Sequence, residues 1–263
     1  MPISQTHVYF LKKIYNSKKY KYLLDKLDIN SLYLGAVFPD MYYVSFSSKN
    51  NAGLFLHEYN RGINFGYRLL NHSKNIREAS FSIGFLSHFI LDSYIHGYLH
   101  KENLFFSEYH IVLEIYLNSA VNKTKYIHRF KSYLIPNRLL NSVFKKYHEK
   151  EHDKFVFSRF IGKYMLWFML FVQYNIYYFV YKKIYSSKHN FCSKVLCKII
   201  CGLEFLRYKY NVKNFINPSK RIINNHLEIM VKLYSKAQKE FIEILKKLDS
   251  EGNDNWNEKR TKI

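Results

Sequence analysis

The sequence contains few of the residues that interrupt helices, with 9 glycines and 4 prolines among 263 residues. This shortage argues against a fold of many short strands, because the turns between strands depend on glycine and proline. Cysteine is also scarce, and the three cysteines, Cys192, Cys197 and Cys201, match no zinc-finger spacing. Their number and spacing do not indicate a disulfide framework, and we expect reduced thiols.

Acidic residues are also scarce compared with basic ones. The chain has 41 Lys and Arg against 20 Asp and Glu, a net charge of +21. Most of the excess lies in residues 121–263, which hold 29 basic against 11 acidic side chains. A basic half is typical of proteins that contact anionic lipid or nucleic acid. A preference for Lys, Asn, Ile and Tyr codons would give the same composition without any partner, so the function has to be argued from individual sites.

Apolar residues recur at helical spacing along most of the chain, which predicts an all-α fold. Asn217 followed by Pro218 is typical of a helix start, with proline at the first helical position. We predict one multi-helix domain over residues 1–249 and a polar, disordered tail over 250–263. The predicted helices are about 5–15, 19–28, 31–37, 52–71, 76–99, 107–118, 124–134, 137–149, 153–183, 191–211 and 218–248.

The N-terminal residues do not show a cationic segment followed by an apolar run, so we predict no signal peptide and a cytoplasmic location. The most apolar segment is 165–181, MLWFMLFVQYNIYYFVY. It has about the minimum length for a membrane span, and it contains Gln173 and Asn175. Polar residues near the centre of a span are costly, which favours a buried or interfacial helix over a transmembrane one.

Titratable side chains interrupt an otherwise apolar helix in the segment FSIGFLSHFILDSYIHGYLH, residues 81–100. His88, Asp92 and His96 are spaced four residues apart, so they lie within an arc of roughly 80° on one helix face. An isolated buried carboxylate is costly unless it is paired or bound to a metal. Two imidazoles on either side of a carboxylate therefore indicate a divalent metal site. His100, one turn further on, is an alternative to His96.

The next predicted helix repeats this pattern, with His110 and Glu114 one turn apart in SEYHIVLEIYL. A single such pair is more often a hydrogen-bonded core histidine than a metal site, but two consecutive apolar helices with the same pairing favour metal. Three upstream residues are weaker candidates taken one by one. They are His7 in the first helix, Asp40 at the end of GAVFPD, where Pro39 is expected to end the helix, and His57 in LFLHEY.

Taken together, these residues resemble the bacterial zinc-dependent phospholipase C family, which is related to the fungal single-strand zinc nucleases. The resemblance covers about the first 115 residues and adds little over residues 120–216. It implies an all-α fold with a trinuclear-type zinc cluster in a cleft, and two or three Zn²⁺ ions as cofactors. The residues that carry it, in chain order, are His7, Asp40, His57, His88, Asp92, His96, His110 and Glu114.

The resemblance also implies how these ligands divide among the ions. One zinc would be held by Asp40, His57, His88 and Asp92, and a second by His96, His110 and Glu114. The third would be held by His7 and by Asp92, which would then bridge two ions.

Two features depart from the family pattern. Secreted members complete the third site with an amino group exposed by signal-peptide removal, whereas this sequence shows no signal and His7 lies close to its start. The third ion could therefore be weakly bound, absent, or completed by the amine of a processed Pro2. Gly97 replaces the usual proline after the third helical histidine, and we expect a looser turn there.

The implied activity is phosphoester hydrolysis of the phospholipase C type, in which a metal-bridged hydroxide attacks phosphorus. Asp40 is the candidate to orient or deprotonate the nucleophile, and Glu58 is a weaker one. The expected substrate is a phospholipid or another phosphodiester, with peripheral contact to an anionic membrane. One alternative is a single-strand nuclease-like phosphodiesterase, whose tyrosines would stack on bases. Another is a non-catalytic, metal-stabilised helical module at a membrane surface.

Overall fold

The computed structural model describes residues 4–40, 61–104, 109–122, 136, 138–140, 142, 143 and 220–250. Within these ranges the chain is mostly helical and forms no strand, which confirms the all-α prediction. The helices are α1 (Ser4–Tyr15), α2 (Ile29–Val37), α3 (Arg61–His72), α4 (Ile76–Lys101), α5 (Tyr109–Val121) and α6 (Lys220–Ser250), with a short 3-10 helix at Lys21–Leu23 between α1 and α2.

Side-chain caps fix where α2 and α4 begin. Asp28 Oδ1 accepts a hydrogen bond from the Ser31 backbone N–H at 2.8 Å, and Asn75 Oδ1 accepts one from the Glu78 N–H at 3.0 Å. Each cap satisfies a donor that the first turn of a helix leaves unpaired. The chain leaves α4 through Asn103, which adopts a left-handed conformation with φ of 55°. Asparagine is one of the few residues that tolerate this conformation after a helix.

Helices α2 and α4 lie side by side in the same direction and touch through glycines. A Cβ atom added at Gly84 would lie 1.9 Å from the carbonyl oxygen of Leu32, and one added at Gly35 would lie 2.0 Å from that of Phe81. Only glycine allows the two backbones to approach this closely. The contact places the end of α2 beside the middle of α4, where the titratable residues lie.

The core is formed by α1, α2, α4 and α6, with α3 packed against α4 and α5 against α6. Phe10 of α1 contacts Tyr234 and Phe241 of α6, with ring centroids 5.5 and 5.8 Å apart. Gln238 of α6 donates a hydrogen bond to the Phe10 carbonyl at 3.0 Å. The C-terminal helix therefore covers the N-terminal one, across more than 200 residues of sequence.

Most of the predicted helices that fall on described residues are confirmed. The predictions 5–15, 31–37, 76–99, 107–118 and 218–248 correspond to α1, α2, α4, α5 and α6, and the described end of 52–71 corresponds to α3. The prediction of a helix at 19–28 is wrong, since only Lys21–Leu23 forms a 3-10 turn there. Leu23, Leu24 and Leu27 are buried by consecutive turns, which satisfy the same apolar pattern as a helix would.

Two local predictions need correction. Helix α2 ends at Val37, but the chain then continues as a 3-10 turn over residues 38–40 instead of an open loop. The loosened turn expected at Gly97 is also wrong, because α4 continues through this residue to Lys101. Glycine keeps its backbone N–H, whereas proline lacks this donor, so the helix is not interrupted.

Several predictions lie outside the described residues. These are the three cysteines, the Asn217–Pro218 helix start, the tail beyond residue 250, and the helices at 124–134, 153–183 and 191–211, together with most of 137–149. The apolar segment 165–181 also lies outside them. Among the helices that the structure does describe, none combines the length and the apolar character needed to cross a bilayer.

Candidate metal centre

Helix α4 carries the centre of the site. His88, Asp92 and His96 lie on successive turns and are all buried. Asp92 Oδ2 lies 3.1 Å from His88 Nε2 and 3.7 Å from His96 Nδ1. The carboxylate is therefore shared by the imidazoles one turn before and one turn after it, as the four-residue spacing predicts.

Helix α1 brings a third imidazole to the same carboxylate. His7 is 1% exposed, and its Nε2 lies 3.3 Å from Asp92 Oδ1. The His7 ring stacks on the His88 ring, with centroids 4.0 Å apart and an angle of 16° between the planes. Neither ring nitrogen of His7 makes a hydrogen bond with the part of the chain that the structure describes.

The end of α2 adds a second carboxylate. Asp40 is 1% exposed, and its Oδ1 lies 3.5 Å from His88 Nε2. It reaches this position because the close contact of α2 with α4 brings the 3-10 turn at 38–40 against the middle of α4. His88 Nε2 therefore lies near the carboxylates of both Asp40 and Asp92.

Helix α5 builds a second group around a different carboxylate. Glu114 Oε1 lies 2.6 Å from His110 Nε2 and 3.2 Å from His96 Nε2. The His96 and His110 rings are perpendicular, with centroids 5.3 Å apart. His100, the alternative to His96, is exposed at the end of α4. Burial, and then the neighbouring His110, lower the pKa of His100 below its ordinary value.

Two sets of three side chains thus have ligand atoms within 4.8 Å of one another. The first set, His7, His88 and Asp92, is called the inner group below, and the second, His96, His110 and Glu114, the outer group. Asp92 connects them through its contact with His96. Asp40 lies beside the inner group, and both His57 and the weaker catalytic candidate Glu58 lie outside the described residues.

The hydrogen bonding of His88 tests whether these residues suit a metal ion. The His88 Nδ1–H donates to the Ala36 carbonyl, with 2.8 Å between Nδ1 and the oxygen. A neutral imidazole that uses Nδ1 as the donor has only a lone pair on Nε2. That lone pair faces carboxylate oxygens, an arrangement that a cation between them would stabilise. A carbonyl partner on the second ring nitrogen is the usual support of a metal-binding histidine.

The pKa values of the two carboxyl groups also suit the binding of a metal ion. Burial alone would raise the pKa of Asp92, but His96, His88 and His7 together hold it well below its ordinary value. Burial would likewise raise the pKa of Glu114, and His110 and His96 hold it low. Burial lowers the pKa of His96 to about 4, against the opposing effect of Asp92. At neutral pH the site therefore presents ionised carboxylates and a neutral His96, the protonation states that zinc ligands require.

Sequence reasoning missed one polar residue near the site. Asn118 lies on α5 one turn after Glu114 and is 7% exposed. The signal that could have found it is the continuation of the four-residue spacing from His110 through Glu114.

Comparison with known proteins identifies the family. No curated protein and no solved structure matches the chain significantly. The family model described as zinc dependent phospholipase C matches residues 6–195, which include both groups of the site. This match spans more than half of the chain and agrees with the resemblance drawn from its histidines and carboxylates. The chain belongs to the zinc-dependent phospholipase C family.

Proposed function

We propose that the protein is a zinc-dependent phospholipase C-like phosphodiesterase that hydrolyses the phosphoester bond of a phospholipid. Family membership supports a zinc phosphoesterase. The observation that carries the finer proposal is the shared carboxylate of Asp92, which lies within 3.7 Å of imidazoles from both groups. A carboxylate between two sets of ligands is the arrangement of enzymes that hold two metal ions close together.

The donor set suits zinc, because imidazole nitrogens and carboxylate oxygens are among its preferred ligands in proteins. Bound zinc would lower the pKa of a coordinated water and offset the negative charge on the phosphoryl oxygens. The inner group and Asp40 would hold one part of the cluster, and the outer group another. We further propose that the cluster holds two or three zinc ions and that His57 is one of their ligands.

Asp40 is the proposed catalytic residue. Its carboxylate is buried beside His88 at the edge of the inner group. From this position Asp40 orients the attacking water or accepts its proton, and the fixed 3-10 turn keeps the carboxylate in place. A positioned general base of this kind typically contributes a factor of about 10²–10⁴ to the rate.

The outer group is the part of the site that a substrate could reach from solvent. The side chains of His96 and His110 are 10% and 12% exposed, whereas that of His88 is fully buried. Solvent therefore reaches the cluster at the outer group. A closed structural zinc site would fill all ligand positions and would not need this opening.

Turnover on three substrates tests the proposal. The purified protein is assayed against phosphatidylcholine, a chromogenic phosphodiester and a single-stranded oligonucleotide, each with and without a chelator. We expect chelator-sensitive hydrolysis that is fastest on the phospholipid. Faster hydrolysis of the oligonucleotide would favour the nuclease-like alternative, and no turnover on any of the three would contradict the enzymatic proposal.

The variant Asp40→Asn separates an enzyme from a metal-stabilised module. We expect turnover to fall about 100-fold or more, since the amide cannot accept the proton of water. The zinc-loaded variant should stay folded, with a melting temperature close to that of the parent protein. Asp25→Asn, on an exposed aspartate between α1 and α2, is the matched control and should leave turnover unchanged. A large loss of thermal stability without loss of turnover would favour a structural zinc site.

A further inference from the structure

Asn118 is a buried polar side chain that the site described above does not use. Its Oδ1 atom is inaccessible to solvent and makes no hydrogen bond with any residue that the structure describes. Buried amides are normally hydrogen-bonded, because an unpaired polar atom loses its contacts with water and gains nothing in return. Such an atom beside a metal centre suggests that a bound group completes its coordination.

The register of α4 against α5 places Asn118 level with Asp92. His96 contacts Glu114, and His100 interacts electrostatically with His110, so the two helices run in opposite directions. One turn back along α4 from His96 is Asp92, and one turn forward along α5 from Glu114 is Asn118. His110, Glu114 and Asn118 share one face of α5, within an arc of roughly 80°.

Helix α1 also contacts α5, and it carries a second ligand-type side chain with buried atoms that lack a hydrogen bond among the described residues. His7 is buried against Asp92, yet neither of its ring nitrogens is hydrogen-bonded among the described residues. His7 and Asn118 therefore both have buried polar atoms without a hydrogen bond among the described residues, and they lie on two helices that contact each other. A cation held by the Asp92 carboxylate would offer a partner to both His7 and Asn118.

We infer that Asn118 is a further ligand of the metal centre, and that its Oδ1 completes the coordination of the ion held by His7 and Asp92. This inference rests on the proposed function, because it requires zinc in the site. An amide oxygen is a neutral ligand, so it adds coordination without adding negative charge to a cluster that already contains three carboxylates.

Zinc content tests this ligand role without reference to activity. Parent protein, Asn118→Ala, Asn118→Asp and Ser87→Ala are saturated with zinc, separated from free metal, and analysed by elemental spectroscopy. We expect Asn118→Ala to lose one zinc per chain, or to bind its weakest zinc at least tenfold less tightly in a chelator competition. Asn118→Asp keeps an oxygen ligand and should retain the zinc. Ser87→Ala removes a buried hydroxyl that donates a hydrogen bond to the Gly84 carbonyl, and should leave the zinc content unchanged.

Thermal stability separates a ligand from a structural amide. Without zinc, Asn118→Ala removes an unsatisfied polar atom, so its melting temperature should equal or exceed that of the parent. With saturating zinc, the parent should gain more stability than the variant. Equal zinc content and affinity in Asn118→Ala and the parent, or an equal loss of stability with and without zinc, would overturn the inference and leave the proposed function intact. A parent protein that binds no zinc would overturn both.

Discussion

The inner and outer groups of the site use the same chemistry but are built in different ways. The outer group joins two helices that follow each other in sequence, with Glu114 18 residues after His96. The inner group depends on α1, with His7 more than 80 residues from His88. It also depends on α2, whose carbonyl at Ala36 orients His88 from 52 residues away. The outer group therefore depends on how α5 packs against α6 and α1, whereas the inner group depends on how α1 and α2 pack against α4.

The variant with the largest expected effect is Asp92→Asn, because Asp92 is the residue that both groups share. The amide has nearly the same shape, but it removes the negative charge between three imidazoles. We expect turnover to fall at least about 1,000-fold, since a loss of this size already follows from removing one strong transition-state interaction. Zinc content should fall in the same variant. A variant that keeps both its zinc and its turnover would show that the two groups are independent.

The next effect concerns the inner group alone. Gly84→Ala introduces a Cβ that would meet the Leu32 carbonyl at 1.9 Å, which forces α2 away from α4. We expect a loss of unfolding free energy of about 3 kcal/mol, the upper range for overpacking of a core, measured by urea denaturation of the metal-free protein. Zinc binding should weaken as well, because the Ala36 carbonyl and Asp40 move with α2.

The matched control for that substitution is Gly97→Ala, in the same helix but near the outer group. A Cβ at Gly97 meets no atom within 4 Å, so alanine should stabilise the helix by about 0.5–1 kcal/mol. Opposite signs for the two substitutions would confirm that the glycine contact, and not helix propensity, positions the inner group. Equal effects of the same sign would contradict this view.

The outer group should make the metal-free protein sensitive to acid. The pKa of His96 is lowered from 6.5 to about 4, mainly by burial. Between these values the unfolded chain binds a proton that the folded protein does not, so stability falls as the pH is lowered from 6.5 to 4. The loss should be about 3 kcal/mol at most.

Urea denaturation of the metal-free protein at several pH values from 7 to 4 measures this effect. The variant His96→Gln should flatten the dependence in that window. Asp92 and Glu114 also favour the folded state at neutral pH, but their pKa values are held well below normal, so their contributions are lost only at lower pH. An unchanged slope in His96→Gln would assign the acid sensitivity to another group.

The sequence predicted the parts of the site that depend on local geometry. Four-residue spacing places His88, Asp92 and His96 on one face of any helix that contains them, whatever the tertiary fold, and the same holds for His110 and Glu114. His7 and Asp40 were weak candidates taken one by one, and the resemblance to a family joined them to the residues of α4, to which no local pattern connects them. Their positions follow from how α1 and α2 pack, and single-sequence periodicity carries no information about that packing.

The wrong helix prediction at 19–28 and the overlooked residue Asn118 have physical reasons of the same kind. The segment 19–28 has leucines at helical spacing, but the same leucines are buried by a series of turns that ends at the Asp28 cap. Asn118 continues the four-residue spacing of His110 and Glu114, but it was missed because an asparagine in a helix is usually an ordinary polar residue. What marks Asn118 out is its burial and its position on α5 level with Asp92 of α4, and both are properties of the folded structure.

The hydrogen bond from His88 to the carbonyl of Ala36 has a consequence for how the site withstands mutation. Every amino acid carries a backbone carbonyl, so no substitution at position 36 removes the acceptor itself. Small replacements that keep α2 in place should preserve the tautomer of His88, and with it the nitrogen that faces the two aspartates. The orientation of this imidazole therefore depends on the path of the main chain, which the close contacts at Gly35 and Gly84 set. Substitutions at these two glycines are the ones expected to disturb it.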